Sequence, residues 1–327
     1  MGKYQILFSA PYMQPFIERF RPVFEHYGCE LIIPEVQERM EAEQILQYAG
    51  QFDGTVCGDD RYNPEVLRRC SPRLKVISKW GTGIDSIHRE TCNELGIQVF
   101  RTLNAFTIPV TDSIFGYMLA FARRQPWMDR AVKSGVWQKL PGRALSECVL
   151  GVIGVGYIGK EVLRKAHAFG MTLLANDIIP IPDEFTRTND VRMVPLDELM
   201  KESDFISVNC DLNPTSLHII NHDSLALVKP GAVLINTARG PLVDEGALVQ
   251  ALQQGRLGGA GLDVFEQEPL PADSPLLKME NVMLAPHNSN SSPTAWEKVH
   301  WNTILNLLDG LGIPHPDFEE IRQRNNR

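Results

Sequence analysis

From residue 4 onward, short apolar runs rich in β-branched residues alternate with amphipathic stretches. "YQILFSA", "CELIIP", "FDGTVCG" and "LKVISKWG" read as buried strands. Between them "PFIERFRPVFEHYG", ending at Gly28, "EAEQILQYAG" and "NPEVLRRC" read as helices, and a turn follows at "GTGID". A strand reaches a parallel neighbour only through a crossover, so this alternation predicts a parallel sheet. Residues 110–124, "VTDSIFGYMLAFARR", predict an apolar helix buried on several sides, with Thr111 or Asp112 as its cap.

A second series begins near Cys148. Strands "CVLGVIG", "MTLLAND", "DFISVNC", "AVLINTA", "GAGLDV" and "NVMLAPH" are separated mostly by helical patterns: "GKEVLRKAHAFG", "PLDELMKES", "HDSLALV" and "EGALVQALQQG". Six strands with helical crossovers predict a doubly wound sheet of the dinucleotide-binding kind. The polar tail "PHPDFEEIRQRNNR" is expected to be loosely held.

At the head of this series stands "LGVIGVGYIGKE", with Gly154, Gly156 and Gly159 between a strand and a helix. Such a Gly-x-Gly-x-x-Gly is weak as a bare pattern, and its context strengthens it. Gly154 permits the tight turn, Gly156 lets a pyrophosphate reach the main chain, and Gly159 lets the helix pack on the strand. The helix N-terminus offers N–H groups and a positive dipole end to phosphate. Asp177 closes the second strand, 177 − 154 = 23 residues on, where an acid can accept from both ribose hydroxyls. Ile178 follows, with no adjacent arginine for a 2′-phosphate, so the expected cofactor is NAD and not NADP.

Composition narrows the remaining options. A chain of 327 residues suffices for two domains. The net charge of −8 argues against a nucleic-acid partner, and Arg68-Arg69 and Arg123-Arg124 read as solvated helix faces. Six cysteines without a C-x-x-C pair suggest free thiols in a reducing cytoplasm, and no metal site. The N-terminus lacks the layout of a signal peptide, Gly2 is followed at position six by Ile6 and not the Ser or Thr of a myristoylation motif, and no run approaches a membrane span.

Ligands of an open parallel sheet bind beyond the carboxyl ends of its strands. There "AVLINTA" runs out at Thr237-Ala238-Arg239, "GAGLDV" ends by Asp263 with Glu268 just beyond, and "VMLAP" leads to His287. A lone arginine is commonly a surface cation and a lone histidine commonly structural; their joint placement on one rim is the stronger signal. Hydride transfer from an alcohol needs a group to take the hydroxyl proton, which imidazole does near neutral pH. A carboxylate beside it favours the charged imidazole, and a guanidinium can hold a carboxylate and polarise the reacting oxygen.

"NTARGPLVDEGALVQALQQGRLGGAGLDVFEQEPLP", followed by "NVMLAPHNSNSS", resembles the signature region of the D-isomer-specific 2-hydroxyacid dehydrogenases, and weaker similarity extends over about residues 50–310. The resemblance implies that Arg239 binds substrate, Glu268 supports the histidine and His287 is the acid/base. It implies cofactor contacts at Tyr157, Ile158, Cys210 and Thr237, and an Asp263 that contacts the nicotinamide amide. "KWGTGID" resembles the family's substrate loop, where Gly81, Thr82 and Gly83 would present N–H groups to a carboxylate, in the manner of a nest.

The family's topology goes beyond what the residues themselves indicate. It implies a Rossmann-type doubly wound parallel sheet inserted in a smaller flavodoxin-like α/β substrate domain. Residues 1–104 plus 290–327, with "TAWEKVHWNTILNLLDGL" crossing back, would form the substrate domain, and 105–289 the NAD-binding domain. Family sites lie in a cleft that closes by hinge motion, and the helix at residues 110–124 matches the element through which such enzymes pair as homodimers. The implied function is hydride transfer between NAD(H) and a D-2-hydroxy acid or 2-oxo acid in the cytoplasm. Alternatives are an NAD(H)-sensing corepressor on the same fold, phosphoglycerate dehydrogenase proper, and phosphite or formate oxidation; the formate enzymes carry glutamine where Glu268 stands. Two departures bear on the pocket. "NSNSS" follows His287 where relatives carry a small apolar residue and a glycine. "FDGTVCGDD" lacks the arginine that phosphoglycerate dehydrogenase places there, and nearby Arg61 is not assigned that job.

Overall fold

The computed structural model describes residues 4–325; Gly2 lies outside them. In chain order the elements are β1 (Tyr4–Phe8), α1 (Ile17–His26), β2 (Cys29–Ile32), α2 (Ala42–Leu46), β3 (Gly54–Cys57), α3 (Pro64–Cys70), β4 (Val76–Lys79), α4 (Arg89–Leu95) and β5 (Gln98–Arg101). Then come α5 (Thr107–Arg123), α6 (Gln125–Lys133), β6 (Val149–Ile153), α7 (Tyr157–Ala168), β7 (Thr172–Asn176), α8 (Asp183–Thr188), β8 (Val191–Met193), α9 (Leu196–Glu202) and β9 (Phe205–Val208). The last are α10 (His222–Ala226), β10 (Val233–Asn236), α11 (Glu245–Gln253), β11 (Gly259–Leu262), β12 (Val282–Leu284), α12 (Pro293–Leu311) and α13 (Phe318–Asn325). The chain divides into two compact units, Met1–Ala105 with Ser292–Arg327, and Phe106–Ser291.

The first unit is built on a five-stranded sheet of order β2-β1-β3-β4-β5, parallel throughout. This is the flavodoxin-like order. Its central strands are buried on both faces, as the continuous apolar runs require. Leu7, Ile45, Phe52, Val66, Leu67 and Ile77 form one core layer. On the sheet α12 lies so close that a Cβ at Gly310 would meet Val76 Cγ2 at 2.3 Å. Helix α4 and strand β5 were not expected from the pattern. β5 is only four residues long and has no buried residue, so its apolar signal is weak. The described part of the tail, residues 314–325, is anchored at its start, contrary to expectation. Phe318 is 4% exposed, and Asp317 accepts from Tyr27 Oη at 2.9 Å and pairs with His26 at 2.8 Å.

The second unit holds a seven-stranded parallel sheet of order β12-β11-β10-β9-β6-β7-β8. Numbered from β6, this is the doubly wound order, reversing between β6 and β9. The expected six strands become seven because β8 is a three-residue edge strand with a single buried residue, Val191, too short to show alternation. Helix α5 begins three residues before the expected start. Neither Thr111 nor Asp112 caps it: Thr111 Oγ1 donates to Thr107 O, and Asp112 pairs with Lys165. The apolar face of α5 explains the glycines of β11. A Cβ at Gly259 would lie 2.4 Å from the Phe121 ring and one at Gly261 would lie 2.7 Å from Tyr117, so the helix packs where side chains are missing. No helix of the described residues is long and apolar enough to cross a membrane.

Candidate active site

The glycine loop leaves β6 at its carboxyl end. Gly154 adopts φ +90°, which glycine alone takes readily, and a Cβ there would sit 2.5 Å from the Cys210 N. Cys210 thus enters by its main chain, and burial pushes its thiol up to about 11, which makes it a poor nucleophile. Gly159 is needed for a different reason: its Cβ would lie 2.0 Å from Gly154 O, so the helix could not pack on the turn. Gly156 is the N-cap of α7, caps it with no side chain, and has open space where a Cβ would stand. Tyr157 is exposed and Ile158 half-buried on the first turn beside it.

Asp177 follows β7 directly. Its Oδ2 accepts from Val155 N at 2.6 Å and its Oδ1 from Ile179 N at 2.8 Å. The acid therefore braces the glycine loop. Ile178 and Ile179 beside it are 79% and 66% exposed, with no cation in sequence next to the carboxylate. A bare helix end, open space at Gly156 and an acid at the neighbouring strand end fit the pyrophosphate and ribose of a dinucleotide.

The three residues expected to do chemistry follow the carboxyl ends of β10, β11 and β12. Thr237 is buried at 8% exposure, and the Asn236 side chain forms the turn after it, accepting from Ala238 N at 3.1 Å and donating to Arg239 O at 2.8 Å. Arg239 in turn donates to Ala238 O at 2.8 Å. Gly240 lies against the main chain of Phe265, where a Cβ would be 1.9 Å from the carbonyl carbon. This close approach brings the arginine turn to the loop that carries Glu268.

Glu268 is oriented at both oxygens. Oε1 accepts from Phe265 N at 3.0 Å, and Oε2 lies 3.0 Å from His287 Nδ1. Burial opposes its ionisation. The His287 hydrogen bond and charge, the Phe265 N–H and the Arg239 charge together outweigh burial and hold the carboxyl below its ordinary value. His287 adopts φ +50°, and its N–H donates to Asp263 O at 2.8 Å. Asp263 is 1% exposed, with its carboxylate accepting from Asn288 N and Ser289 N, each at 2.8 Å.

Gly81, Thr82 and Gly83 belong to the first unit, just beyond β4. Gly81 takes φ +125°, and its carbonyl accepts from Thr102 N at 2.9 Å. Thr82 donates its hydroxyl to Thr102 O at 2.8 Å, and its carbonyl accepts from Arg101 at 3.2 Å, so side chain and carbonyl are spent holding the loop. Several residues that brace this loop escaped the sequence reading. Lys79, 3% exposed, pairs with Asp59 at 3.1 Å and donates to Trp80 O at 3.2 Å. Trp80 donates to His300 Nδ1 at 2.8 Å, and its ring meets Tyr12 and Trp296. Burial lowers His300 to about 4, so it accepts as a neutral ring. Burial pushes Asp60 up to about 6, against hydrogen bonds from Ser9 and Met40 N. The one available signal was "KWG", a cation and an indole directly before the glycine turn.

A doubly wound parallel sheet with a bare glycine loop, and with guanidinium, carboxylate and imidazole beyond three successive strands, belongs to a nicotinamide-dependent dehydrogenase. Comparison with known proteins makes this specific. The D-isomer specific 2-hydroxyacid dehydrogenase NAD-binding domain matches residues 115–289. The chain is 40% identical to a glyoxylate reductase of Korarchaeum cryptofilum over 76% of each chain. It is 38% identical to a D-3-phosphoglycerate dehydrogenase of Methanocaldococcus jannaschii, over 80% of this chain and 50% of that one. The crystal structure of D-lactate dehydrogenase from Aquifex aeolicus, complexed with NAD and lactic acid, superposes with a TM-score of 0.84 at 27% identity, covering 94% of this chain and 96% of that one. The chain belongs to the D-isomer specific 2-hydroxyacid dehydrogenase family; it is an oxidoreductase, and its cofactor is NAD.

Proposed function

We propose that the chain interconverts a D-2-hydroxy acid and its 2-oxo acid, with His287 as acid/base, Glu268 as its support and Arg239 as the substrate's carboxylate partner. The carrying observation is the 3.0 Å contact between His287 Nδ1 and Glu268 Oε2. Nδ1 is committed to the carboxylate, so the ring exchanges its proton at Nε2. Bound nicotinamide cofactor would supply the redox chemistry at C2, NAD as hydride acceptor in oxidation and NADH as hydride donor in reduction. In oxidation the hydroxyl proton passes to Nε2 of His287; in reduction the imidazolium gives it back to the oxygen. Glu268 stabilises the imidazolium and holds the ring. Arg239, always charged, pairs with the substrate carboxylate and draws electron density from the reacting oxygen.

The N-terminus of α7 with Gly154, Gly156, Tyr157, Ile158 and Gly159 would hold the pyrophosphate, Asp177 the ribose, and Cys210 and Thr237 the rest of the cofactor by close contact. The unit Met1–Ala105 with Ser292–Arg327 is assigned the substrate role, with N–H groups of Gly81, Thr82 and Gly83 for a carboxylate. The inward commitment of Thr82's side chain and carbonyl supports that reading. We also assign a homodimer that pairs through α5 and α6. Ile108, Val132 and Val136 are 49–53% exposed there and Trp137 is 91% exposed, an apolar surface suited to a second copy. Sedimentation at a monomer mass would overturn it. Six free cysteines support a cytoplasmic location, which cell fractionation checks.

The deciding experiment is a screen of 2-oxo acids with NADH, and of D- and L-2-hydroxy acids with NAD, run with His287→Ala in parallel. Turnover of D-acids is expected, with His287→Ala slower by about 10²–10⁴-fold while NADH still binds. Activity of His287→Ala near that of the parent would refute the assignment.

A further inference from the structure

We infer that His300 is a positioning residue for the substrate: through Trp80 it ties the loop Gly81–Gly83 to α12, and so fixes the N–H groups that meet the substrate's carboxylate. The inference rests on the reading of residues 81–83 as the substrate loop. β4 ends at Lys79, and Trp80 N donates to Cys57 O at 2.8 Å, one step beyond the paired strands. Gly81 follows at once, so whatever fixes Trp80 fixes where the loop begins. The remaining polar groups of Trp80 are engaged as well. Its carbonyl accepts from Lys79 Nζ at 3.2 Å, and its indole N–H donates to His300 Nδ1 at 2.8 Å.

An indole only donates, so the imidazole accepts at Nδ1 and the neutral ring carries its proton at Nε2. Burial supports that form by lowering His300 to about 4. Both partners are 3% exposed, and the rings of Phe16 and Phe20 lie 5.9 and 5.6 Å from the imidazole, so water does not stand in for either group. Two residues earlier Ser78 Oγ donates to Thr303 O at 2.7 Å. Ser78 and Trp80 share one face of an extended chain, and His300 and Thr303 are neighbours on one face of a helix. Two hydrogen bonds thus clamp the outgoing end of β4 to α12, and the Trp80 bond is the one at the mouth of the loop. Packing alone would be met by an apolar residue at 300. A buried indole and imidazole instead penalise any slide or rotation of the strand end, because movement leaves both unpaired.

Trp80→Phe and His300→Leu each break the bond and keep bulk, whereas His300→Asn keeps an accepting oxygen close to the Nδ1 position. They are measured in the full chain with NADH and the best 2-oxo acid from the screen. KM for the oxo acid should rise about tenfold in Trp80→Phe and in His300→Leu, and less than about threefold in His300→Asn, with kcat and the NADH dissociation constant within about twofold of the parent. The double variant should be no worse than either single one, since both remove the same bond. Parent-like KM in Trp80→Phe and His300→Leu overturns the inference even if their melting temperatures fall, because the bond is then structural only. A His300→Asn variant as impaired as His300→Leu overturns it too, as does an NADH dissociation constant that rises in step with KM. Should His300→Leu fail to fold, Trp80→Phe and His300→Asn decide by the same split. Thr82→Val, which loses the hydroxyl bond to Thr102 O, is measured alongside. If it raises KM while the Trp80 and His300 variants do not, only the present inference fails; if none of them raises KM, the reading of the loop has failed with it.

Discussion

Glu268→Gln isolates the carboxylate's charge from its shape. In the parent, Oε1 takes the Phe265 N–H and Oε2 faces Nδ1 of His287, both at 3.0 Å. The amide must still offer oxygen to Phe265 N, so its NH₂ turns toward Nδ1. A donor there opposes a second ring proton, and the negative charge that favoured imidazolium is gone. The two side chains are 28% and 29% exposed, so solvent screens them only in part. A hydrogen bond to a charged group in such a setting is worth about 1.5–3 kcal/mol. At 1.36 kcal/mol per pH unit, the imidazole's proton affinity should drop by about 1–2 units. Reduction uses the protonated ring, so kcat/KM for NADH-dependent reduction falls as pH rises through the imidazole's pKa. The variant's falling limb should therefore lie about 1–2 units lower in pH. A limb that stays in place would refute the coupling between the two side chains. Stability gives a second readout. The Glu268 carboxyl is held below its ordinary value, so its contribution is present above that value and fades as pH falls through the depressed one. Melting temperatures of parent and variant should converge in acid.

Asp177→Ala removes the acid beside the proposed ribose site and should raise the NADPH-to-NADH ratio of kcat/KM by about 10–100-fold, read from initial rates with each cofactor; an unchanged ratio places discrimination elsewhere. Gly159→Ala forces a methyl to 2.0 Å from Gly154 O, so thermal unfolding should show a loss of about 3 kcal/mol or more, together with weakened NADH binding. A variant as stable as its parent would show that α7 can shift without cost.

Much of this was legible locally. The strand–glycine–helix passage through residues 154–159 and the acid at 177 depend on backbone freedom and hydrogen bonding within one crossover, and they stand where the pattern put them. So do the strand ends that deliver Arg239, Glu268 and His287. Elements without a buried stripe were not legible. Among the described residues α6 and α8 bury none of theirs and β8 buries one, so hydrophobic spacing could not announce them. The α5 cap was misjudged because Thr111 is a good cap by type, yet tertiary packing buries it and starts the helix earlier.

What the sequence determined alone was therefore the series of parallel-sheet elements, the dinucleotide loop and the cast of polar residues at the rim. Period, glycine and strand end are properties of neighbours along the chain. The tertiary structure decided that α12 packs on the five-stranded sheet, that β8 extends the seven-stranded one, and that Asp263 turns its carboxylate onto Asn288 and Ser289, 25 and 26 residues away. Each of these is a contact between segments remote in sequence, where the competing partners are equally good by type and only the packed core selects one.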